Sequence, residues 1–337
     1  MLAIDIAFSI SKLLLGIIVF LLAVKVFSSS LKGQFLHKMQ PAFLKVSRNR
    51  FAALGVGAGA TALMQSSTAT TVLTVGLVNA GAITLFGATA IIMGANVGTT
   101  LTSLLVSLSS FKIGYIFMAT CFIGVAIYVS AKDESKSKNI GSLLIGFGGI
   151  FIALELLSLS FSDSAFLTDI FEALFSRVTF PLLLILLGAM FTAIIQSSSA
   201  SMAIYITMLA SGVLCFASSV FLLFGSEIGT CLTTLIAASK ANTVAKRAAV
   251  VHLLFNLFSA TIFTAIFWPL GHLIIPAYTA IVTNPMWQLS IFQVAYNLIT
   301  VAILIWAIKP MNWIVERLVR KRTNTVKRKS GERKNVV

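Results

Sequence analysis

The sequence has few charged residues: they make up 10% of its 337 positions, against roughly 25% in an ordinary soluble domain. Hydrophobic residues make up 58%, and the mean hydropathy is +0.99. A soluble chain could not bury so large an apolar fraction, which argues against a soluble enzyme, a disordered binding protein and a nucleic-acid-binding module. Because a membrane-spanning helix needs about 20 apolar residues, the composition predicts an all-α polytopic membrane protein.

Cysteine is also scarce, with three residues that all lie in apolar stretches: Cys121, Cys215 and Cys231. They form neither a disulfide framework nor a CxxC metal motif. Histidine, cysteine and carboxylate residues show no transition-metal spacing, and the short hydrophilic loops hold no nucleophile beside a base. We therefore expect no enzyme activity, no transition metal and no cofactor.

Acidic residues number 10 against 25 basic ones, which gives a net charge of +15. In a soluble protein this excess would suggest a nucleic-acid partner. Here many of the basic residues follow the last apolar segment, so we predict a basic cytoplasmic tail at 309–337 and no nucleic-acid partner. The first thirty residues lack a signal-peptide pattern and predict a retained membrane helix.

The chain contains an internal repeat. Residues 57–105 match residues 188–236 without a gap at a constant offset of 131, and the identities cluster in two polar islands, QSS and GxxxGTxLT. A weaker similarity between 13–16 and 143–146 extends the repeat upstream. A duplicated half is typical of secondary transporters, in which the binding site lies between the halves.

The charges indicate how the two halves are oriented. Basic breaks fall at 31–50, 132–138 and 240–247, whereas the break at 162–177 is mostly acidic. If the basic breaks are cytoplasmic, the break 31–50 is inside and its counterpart 162–177 is outside. Each repeat then crosses the membrane an odd number of times, and the repeats have inverted topology.

One segmentation satisfies this arrangement. The predicted segments are a span at 10–30, a re-entrant hairpin at 51–80, spans at 82–110, 113–131 and 140–161, a second hairpin at 179–211, and spans at 213–239, 248–268 and 289–308. Ala52–Met64 would reach about 20 Å, which is too short to cross a bilayer. Pro276, Asn284 and Pro285 argue against a span at 272–285. The predicted domains are 1–131, 140–268, 269–308 (a re-entrant or interfacial segment and the last helix) and 309–337.

The first pair of islands interrupts apolar helices at matching places, with Gln65 to Thr68 in one repeat and Gln196 to Ser199 in the other. A single serine in a membrane helix commonly bonds to its own backbone or to a neighbouring helix. Four consecutive polar side chains would point around most of a helix and face lipid. A buried break that lines a cavity satisfies them better.

The second pair of islands spans Gly94 to Thr100 and Gly225 to Cys231. Glycines four residues apart are compatible with close GxxxG helix packing. We favour an unwound turn between two half-helices, because Asn96 or Glu227 lies between the glycines and a threonine follows. Such a break exposes carbonyl oxygens to a small cation and N–H groups to an anion. The two pairs of islands together predict an anion held by neutral donors with sodium ions.

Three further polar positions lie in apolar segments. His252 and Asn256 share a helix face, which favours interhelical hydrogen bonding and leaves proton coupling open. Glu227 is the stronger functional candidate of two intramembrane carboxylates, because it lies within a repeated island. Glu155 is either functional or paired with Lys25, its approximate repeat counterpart.

The QSS pairs, the GxNxGTT-like islands and the RAAxxHxxFN-like run at 247–256 resemble the sodium-dependent phosphate cotransporter family over about residues 10–310. This resemblance implies uptake of inorganic phosphate driven by sodium, by alternating access, in a homodimer of the bacterial inner membrane. Glu227 and Cys231 depart from the Asn and Thr common in the family. Coupling to protons, another oxyanion, export of phosphate and a passive anion channel stay open as alternatives.

The resemblance also implies the site residues. The phosphate shell comprises Gln65, Ser66, Ser67, Gln196, Ser197 and Ser198. The sodium shell comprises Thr68, Asn96, Thr99, Thr100, Ser199, Glu227 and Thr230.

Overall fold

The computed structural model describes the backbone of residues 2–46, 49–111, 114–133, 135–178 and 180–320, with the side chains of 2–5, 32–40, 46 and 176 left out. These residues form thirteen α-helices and no strand. The helices are α1 (Leu2–Val46), α2 (Arg50–Met64), α3 (Ser67–Asn79), α4 (Leu85–Ser107), α5 (Gly114–Ser130), α6 (Lys136–Ser162), α7 (Ala165–Phe171), α8 (Pro181–Ile195), α9 (Ser198–Ala210), α10 (Phe216–Ala238), α11 (Thr243–Ile281), α12 (Pro285–Leu304) and α13 (Ile308–Leu318). The predicted tail from residue 321 onward lies outside the described residues.

Six stretches of the described chain are long and apolar enough to cross a membrane. They are Ile6–Leu31, Leu85–Ser110, Lys136–Ser162, Phe216–Ala238, Thr243–Ile281 and Pro285–Leu318. The apolar helix α5 has 17 residues, close to the shortest length that spans a bilayer. The prediction of an all-α polytopic membrane protein is confirmed.

Two predicted breaks are helical instead. Helix α1 continues beyond residue 30 to Val46, through most of the basic segment 31–50. Helix α11 continues through Pro269 and Pro276 to Ile281, where the prolines argued against a span at 272–285. Proline removes one backbone donor, but membrane helices tolerate it where neighbouring groups satisfy the freed carbonyl. The chain breaks only afterwards, where Asn284 caps α12 and Pro285 occupies its first turn.

The repeat found in the sequence is a repeat of structure. Helices α2, α3 and α4 begin and end 131 positions before α8, α9 and α10, respectively. Helix α4 packs along α2, and α10 packs along α8. Helix α1 packs along α6, and α12 lies against both α4 and α9. The two repeat units are thus joined by contacts that cross between them.

The second pair of islands lies inside continuous helices, so the predicted unwound turns are wrong. A Cβ atom on Gly94 would lie 2.0 Å from the carbonyl oxygen of Leu54, and one on Gly225 would lie 2.0 Å from that of Ile185. The glycines therefore allow the backbones of α4 and α10 to approach α2 and α8 closely. GxxxG packing, the alternative interpretation, explains them.

Candidate functional site

Each QSS island forms the tip of a helical hairpin. Gln65 lies between α2 and α3 with φ 49° and ψ 32°, and Gln196 lies between α8 and α9 with φ 57° and ψ 24°. In the described residues these two are the non-glycine residues with positive φ. The left-handed conformation costs about 1–2 kcal/mol for such a residue. Two matched strained positions in one chain indicate a functional role.

The serine after each glutamine caps the next helix. Ser66 Oγ accepts from the N–H of Ala69 at 3.1 Å, and Ser197 Oγ accepts from the N–H of Ala200 at 3.2 Å. The first N–H groups of a helix have no partner within that helix, and the helix dipole is positive at this end. Each tip therefore presents backbone donors and hydroxyl groups to whatever lies in front of it.

A hydrogen bond closes each hairpin just behind its tip. Thr61 Oγ1 donates to Thr70 Oγ1 at 2.8 Å in the first hairpin. Thr192 Oγ1 donates to Ser201 Oγ at 2.9 Å at the equivalent place in the second. All four hydroxyl-bearing residues are buried, so both tips are held by the same internal contact.

Both tips line one cavity of about 390 Å³. The cavity is lined by Leu21, Val24, Lys25, Ser28, Ser29, Gln65, Ser66, Ser67, Thr68, Gln196, Ser197, Ser198 and Ser199. The structure thus brings together all six residues predicted to bind phosphate, with two of those predicted to bind sodium. The sequence did not predict that residues of α1 line this cavity. The available signal was Lys25, a lysine within an apolar segment.

The two glutamines have different surroundings. Gln65 is buried, its Oε1 accepts from Thr102 Oγ1 at 2.9 Å, and its Nε2 donates to the carbonyl oxygen of Ala62 at 2.6 Å. Gln196 is exposed, and its side chain makes no hydrogen bond with any described residue. The side chain of Gln65 is fixed, whereas that of Gln196 is available to a ligand.

The other residues predicted to bind sodium do not line this cavity. Thr99 Oγ1 donates to the carbonyl of Ala95 at 3.0 Å, and Thr230 Oγ1 donates to that of Ser226 at 2.9 Å. Thr100 makes a similar bond within α4. Because α4 and α10 are unbroken, their carbonyl oxygens stay in helical hydrogen bonds. A cation here would depend on side-chain oxygens.

A buried polar network surrounds Glu227. Asn256 on α11 accepts from Asn96 Nδ2 at 2.6 Å and donates to the carbonyl of Glu227 at 3.0 Å. Gln293 on α12 donates to Glu227 Oε1 at 3.0 Å and accepts from Ser103. Glu227 is 3% exposed and forms no ion pair with a described residue. Asn256 therefore bonds between helices, as favoured from sequence.

Sequence reasoning missed the contribution of α12 to this network. Gln293 and Asn297 lie four residues apart on this helix, and the Asn297 Nδ2 donates to the Gln293 carbonyl oxygen at 3.1 Å. Two amide side chains on one face of the last apolar segment were the available signal. Their buried amides place α12 beside the second repeat's carboxylate.

The structure also shows the surroundings of His252 and Glu155, the two remaining polar candidates. His252 is fully buried, and its Nδ1 lies 3.2 Å from Thr234 Oγ1, which fits an interhelical hydrogen bond. Glu155 lines a separate cavity of about 260 Å³ with Ser109 and Ser158. The proposed pairing of Glu155 with Lys25 is wrong, since these residues line different cavities and form no ion pair.

Comparison with known proteins identifies the family. The profile of the family described as Na+/Pi-cotransporter matches residues 19–159 and 163–276, which include both hairpins. The chain belongs to the Na+/Pi-cotransporter family. Its membership confirms the resemblance drawn from the QSS islands, and the family is one of transporters.

The chain is also similar to individual bacterial proteins. It is 31% identical over 273 residues to "Putative inorganic phosphate export protein YjbB" of Escherichia coli (strain K12), covering 78% of this chain and 47% of that protein. It is 25% identical over 247 residues to "Uncharacterized protein YqeW" of Bacillus subtilis (strain 168), covering 71% and 75%. The chain spans about half the length of the E. coli relative that it matches. No solved structure matches it.

Proposed function

We propose that the protein is a secondary transporter that moves inorganic phosphate across the bacterial inner membrane, coupled to sodium. The main support is the single cavity that both strained tips line. The N-termini of α3 and α9 and the hydroxyl groups around them are neutral donors suited to a tetrahedral oxyanion. Membership in the Na+/Pi-cotransporter family and the name of the E. coli relative favour phosphate among the oxyanions.

The two repeats are proposed to enter from opposite leaflets. Asn242, which follows α10, donates from its backbone N–H to Asn79 Oδ1 and from its side chain to the Asn79 carbonyl, each at 2.8 Å. Asn79 ends α3 and precedes α4 by a short turn. The beginning of α4 thus lies beside the end of α10, which supports opposite directions for these repeat-related helices.

A re-entrant course for the hairpins follows from their length. Helices α2 and α8 have 15 residues each and reach about 22 Å, less than the roughly 30 Å of hydrocarbon. Hairpins from opposite leaflets would meet near the middle of the membrane, where transporter sites commonly lie. The homodimer and the cytoplasmic C-terminus stay predictions that go with this topology.

Sodium is proposed to bind near Glu227. A buried carboxylate is stable only when it is paired, protonated or bound to a cation, and no described basic residue pairs with Glu227. Oxygen atoms from Asn96, Asn256, Gln293 and Asn297 are the ligands available in its neighbourhood. Thr68 and Ser199 line the cavity between the hairpin tips, called the phosphate cavity from here on, and are proposed to contact a sodium ion there, next to the anion.

The direction of transport depends on the gradients. A symporter takes up phosphate when sodium flows inward, whereas the relative's printed name describes export. Purified protein in liposomes, tested with labelled phosphate under an inward sodium gradient, an outward one and none, separates these cases. We expect the sign of phosphate flux to follow the sodium gradient. Equal flux under all three conditions contradicts sodium coupling, and unitary currents would identify a channel.

A further inference from the structure

The phosphate cavity contains one charged side chain among its thirteen lining residues. Helix α1 contributes Lys25 to this cavity, whereas the residues of both hairpin tips are uncharged. Lys25 is an exposed residue that lines this cavity. The lining thus combines neutral donors from the tips with one ammonium group from α1.

Lys25 is not explained by an ion pair within the protein. The apolar segment Ile6–Leu31 contains Lys12 and Lys25, and Lys12 Nζ lies 2.7 Å from Asp163 Oδ2. Lys25 takes part in none of the ion pairs formed by the described residues, and Glu155 lines another cavity. A lysine in a membrane span is unfavourable unless it faces a wet cavity or meets an anion.

The position of Lys25 is fixed relative to the first hairpin tip. Ser28 lies on the same face of α1, three residues after Lys25, and is buried. Its hydroxyl donates to the carbonyl oxygen of Met64, the residue before Gln65. This contact holds α1 against the point where α2 ends, and Lys25 lines the same cavity as Ser66 and Ser67.

The electrostatic contributions in the cavity all have the same sign. The N-termini of α3 and α9 each carry a partial positive charge, and Lys25 adds a full one. No lining residue is acidic. A site with this charge attracts an oxyanion, and it repels a sodium ion that arrives alone.

We infer that Lys25 binds the transported oxyanion and sets the affinity of the cavity for its charge. This inference rests on the proposed function, because it assigns a further residue to the same site. The neutral donors of the tips recognise the tetrahedral oxygens, and the ammonium group offsets negative charge. Lysine is a common point-charge ligand of phosphate in proteins. Sodium then acts mainly at the network around Glu227.

Equilibrium binding of labelled inorganic phosphate to the purified full-length protein in saturating sodium tests this inference. We expect Lys25→Gln to weaken phosphate binding by at least about tenfold, since a charge contact in a partly dry site is lost. Lys25→Arg keeps the charge and should stay within about threefold of the unmodified protein. Lys12→Gln, on the same helix but outside the cavity, is the matched control and should leave phosphate affinity unchanged.

The outcomes separate this inference from the proposed function. If the unmodified protein binds no phosphate, the proposed function fails. If it binds phosphate and Lys25→Gln binds equally well, the proposed function stands and the inference is wrong, with Lys25 serving as an interfacial anchor. A loss shared by Lys12→Gln would also overturn it, since the effect would then be one of folding.

A second measurement uses the unmutated protein and does not depend on how a variant folds. A small amine-acetylating reagent is applied with and without inorganic phosphate, and modification of each lysine is quantified by mass spectrometry. We expect phosphate to protect Lys25 and not Lys45, which is exposed on the same helix outside the cavity. Equal acetylation of Lys25 with and without saturating phosphate contradicts the inference.

Discussion

The two hairpins have the same backbone and differ in how their tips are held. Both have a glutamine in the left-handed region, a serine cap and a hydroxyl bond between their arms. Gln65 is nevertheless buried and bonded to Thr102, whereas Gln196 is exposed. Thr233, the repeat counterpart of Thr102, donates instead to its own helix. The two repeats thus share the left-handed turn at the glutamine. They differ in whether a neighbouring helix holds the glutamine side chain.

The same contrast is found deeper in the protein. Asn96 and Glu227 occupy equivalent positions on α4 and α10, and both lie in the network with Asn256. The carboxylate occurs in the second repeat alone and takes its partner, Gln293, from α12. A helix outside the repeat therefore supports the charged position. The anion cavity is built by both repeats, and the proposed cation site depends mainly on one.

The largest expected effect tests a feature that the repeats share. Gly225→Ala should destabilise the protein by about 3 kcal/mol. The new Cβ would clash with the Ile185 carbonyl oxygen and push α10 away from α8. Gly94→Ala should do the same in the first repeat. Thermal unfolding and the yield of monodisperse protein measure the loss.

The control for this prediction lies on α2. A Cβ on Gly59 would meet nothing within 4 Å, so Gly59→Ala should leave the melting temperature unchanged or slightly raised. A stable Gly225→Ala variant would show that Gly225 is not needed for close packing of α10 against α8.

The next prediction tests the difference between Asn96 and Glu227. Glu227→Gln keeps an acceptor for Gln293 but removes the charge, so the sodium concentration needed to promote phosphate binding should rise at least about tenfold. Phosphate binding at high sodium should be retained, because the cavity residues are unchanged. The measurement is phosphate-dependent thermal stabilisation titrated with sodium chloride against choline chloride.

A second variant makes this comparison reciprocal. Asn96→Asp in the Glu227→Gln background moves the carboxylate to the first repeat, where Gln293 is not its partner. Sodium dependence should stay low. Its recovery would mean that the two positions are interchangeable and that the asymmetry of the network has no role in coupling.

The sequence predicted the hairpins because a repeat with polar islands constrains which segments must be equivalent. The course of α4 and α10 was not predictable, since the spacing of Gly94 and Gly98 fits both close packing and an unwound turn. The distance from a Cβ on Gly94 to the Leu54 carbonyl oxygen decides between them. That distance depends on how α4 packs against α2, which the sequence does not show. Lys25 was not recognised as a cavity residue for a similar reason, because the repeat offset offered it only as a possible partner of Glu155 and gave no cavity for either.

A smaller effect separates the two tips. Gln65→Gly and Gln196→Gly both remove an amide from the phosphate cavity, so both should weaken binding of labelled phosphate. Gln65→Gly also leaves the buried Thr102 hydroxyl without its acceptor, which should cost about 1–2 kcal/mol of stability. Gln196→Gly should have no such cost. Equal melting temperatures for these variants would show that the support by Thr102 is unimportant.

The smallest effect tests the backbone alone. Gln196→Ala and Gln196→Gly lose the same amide and should bind phosphate equally. Alanine must still adopt φ near 57°, so Gln196→Ala should be about 1 kcal/mol less stable than Gln196→Gly. Its melting temperature should be lower by about 2 °C. The same order is expected for Gln65. If alanine proves the more stable residue at both tips, the left-handed turn is not the native geometry, and the backbone donors do not face the cavity together.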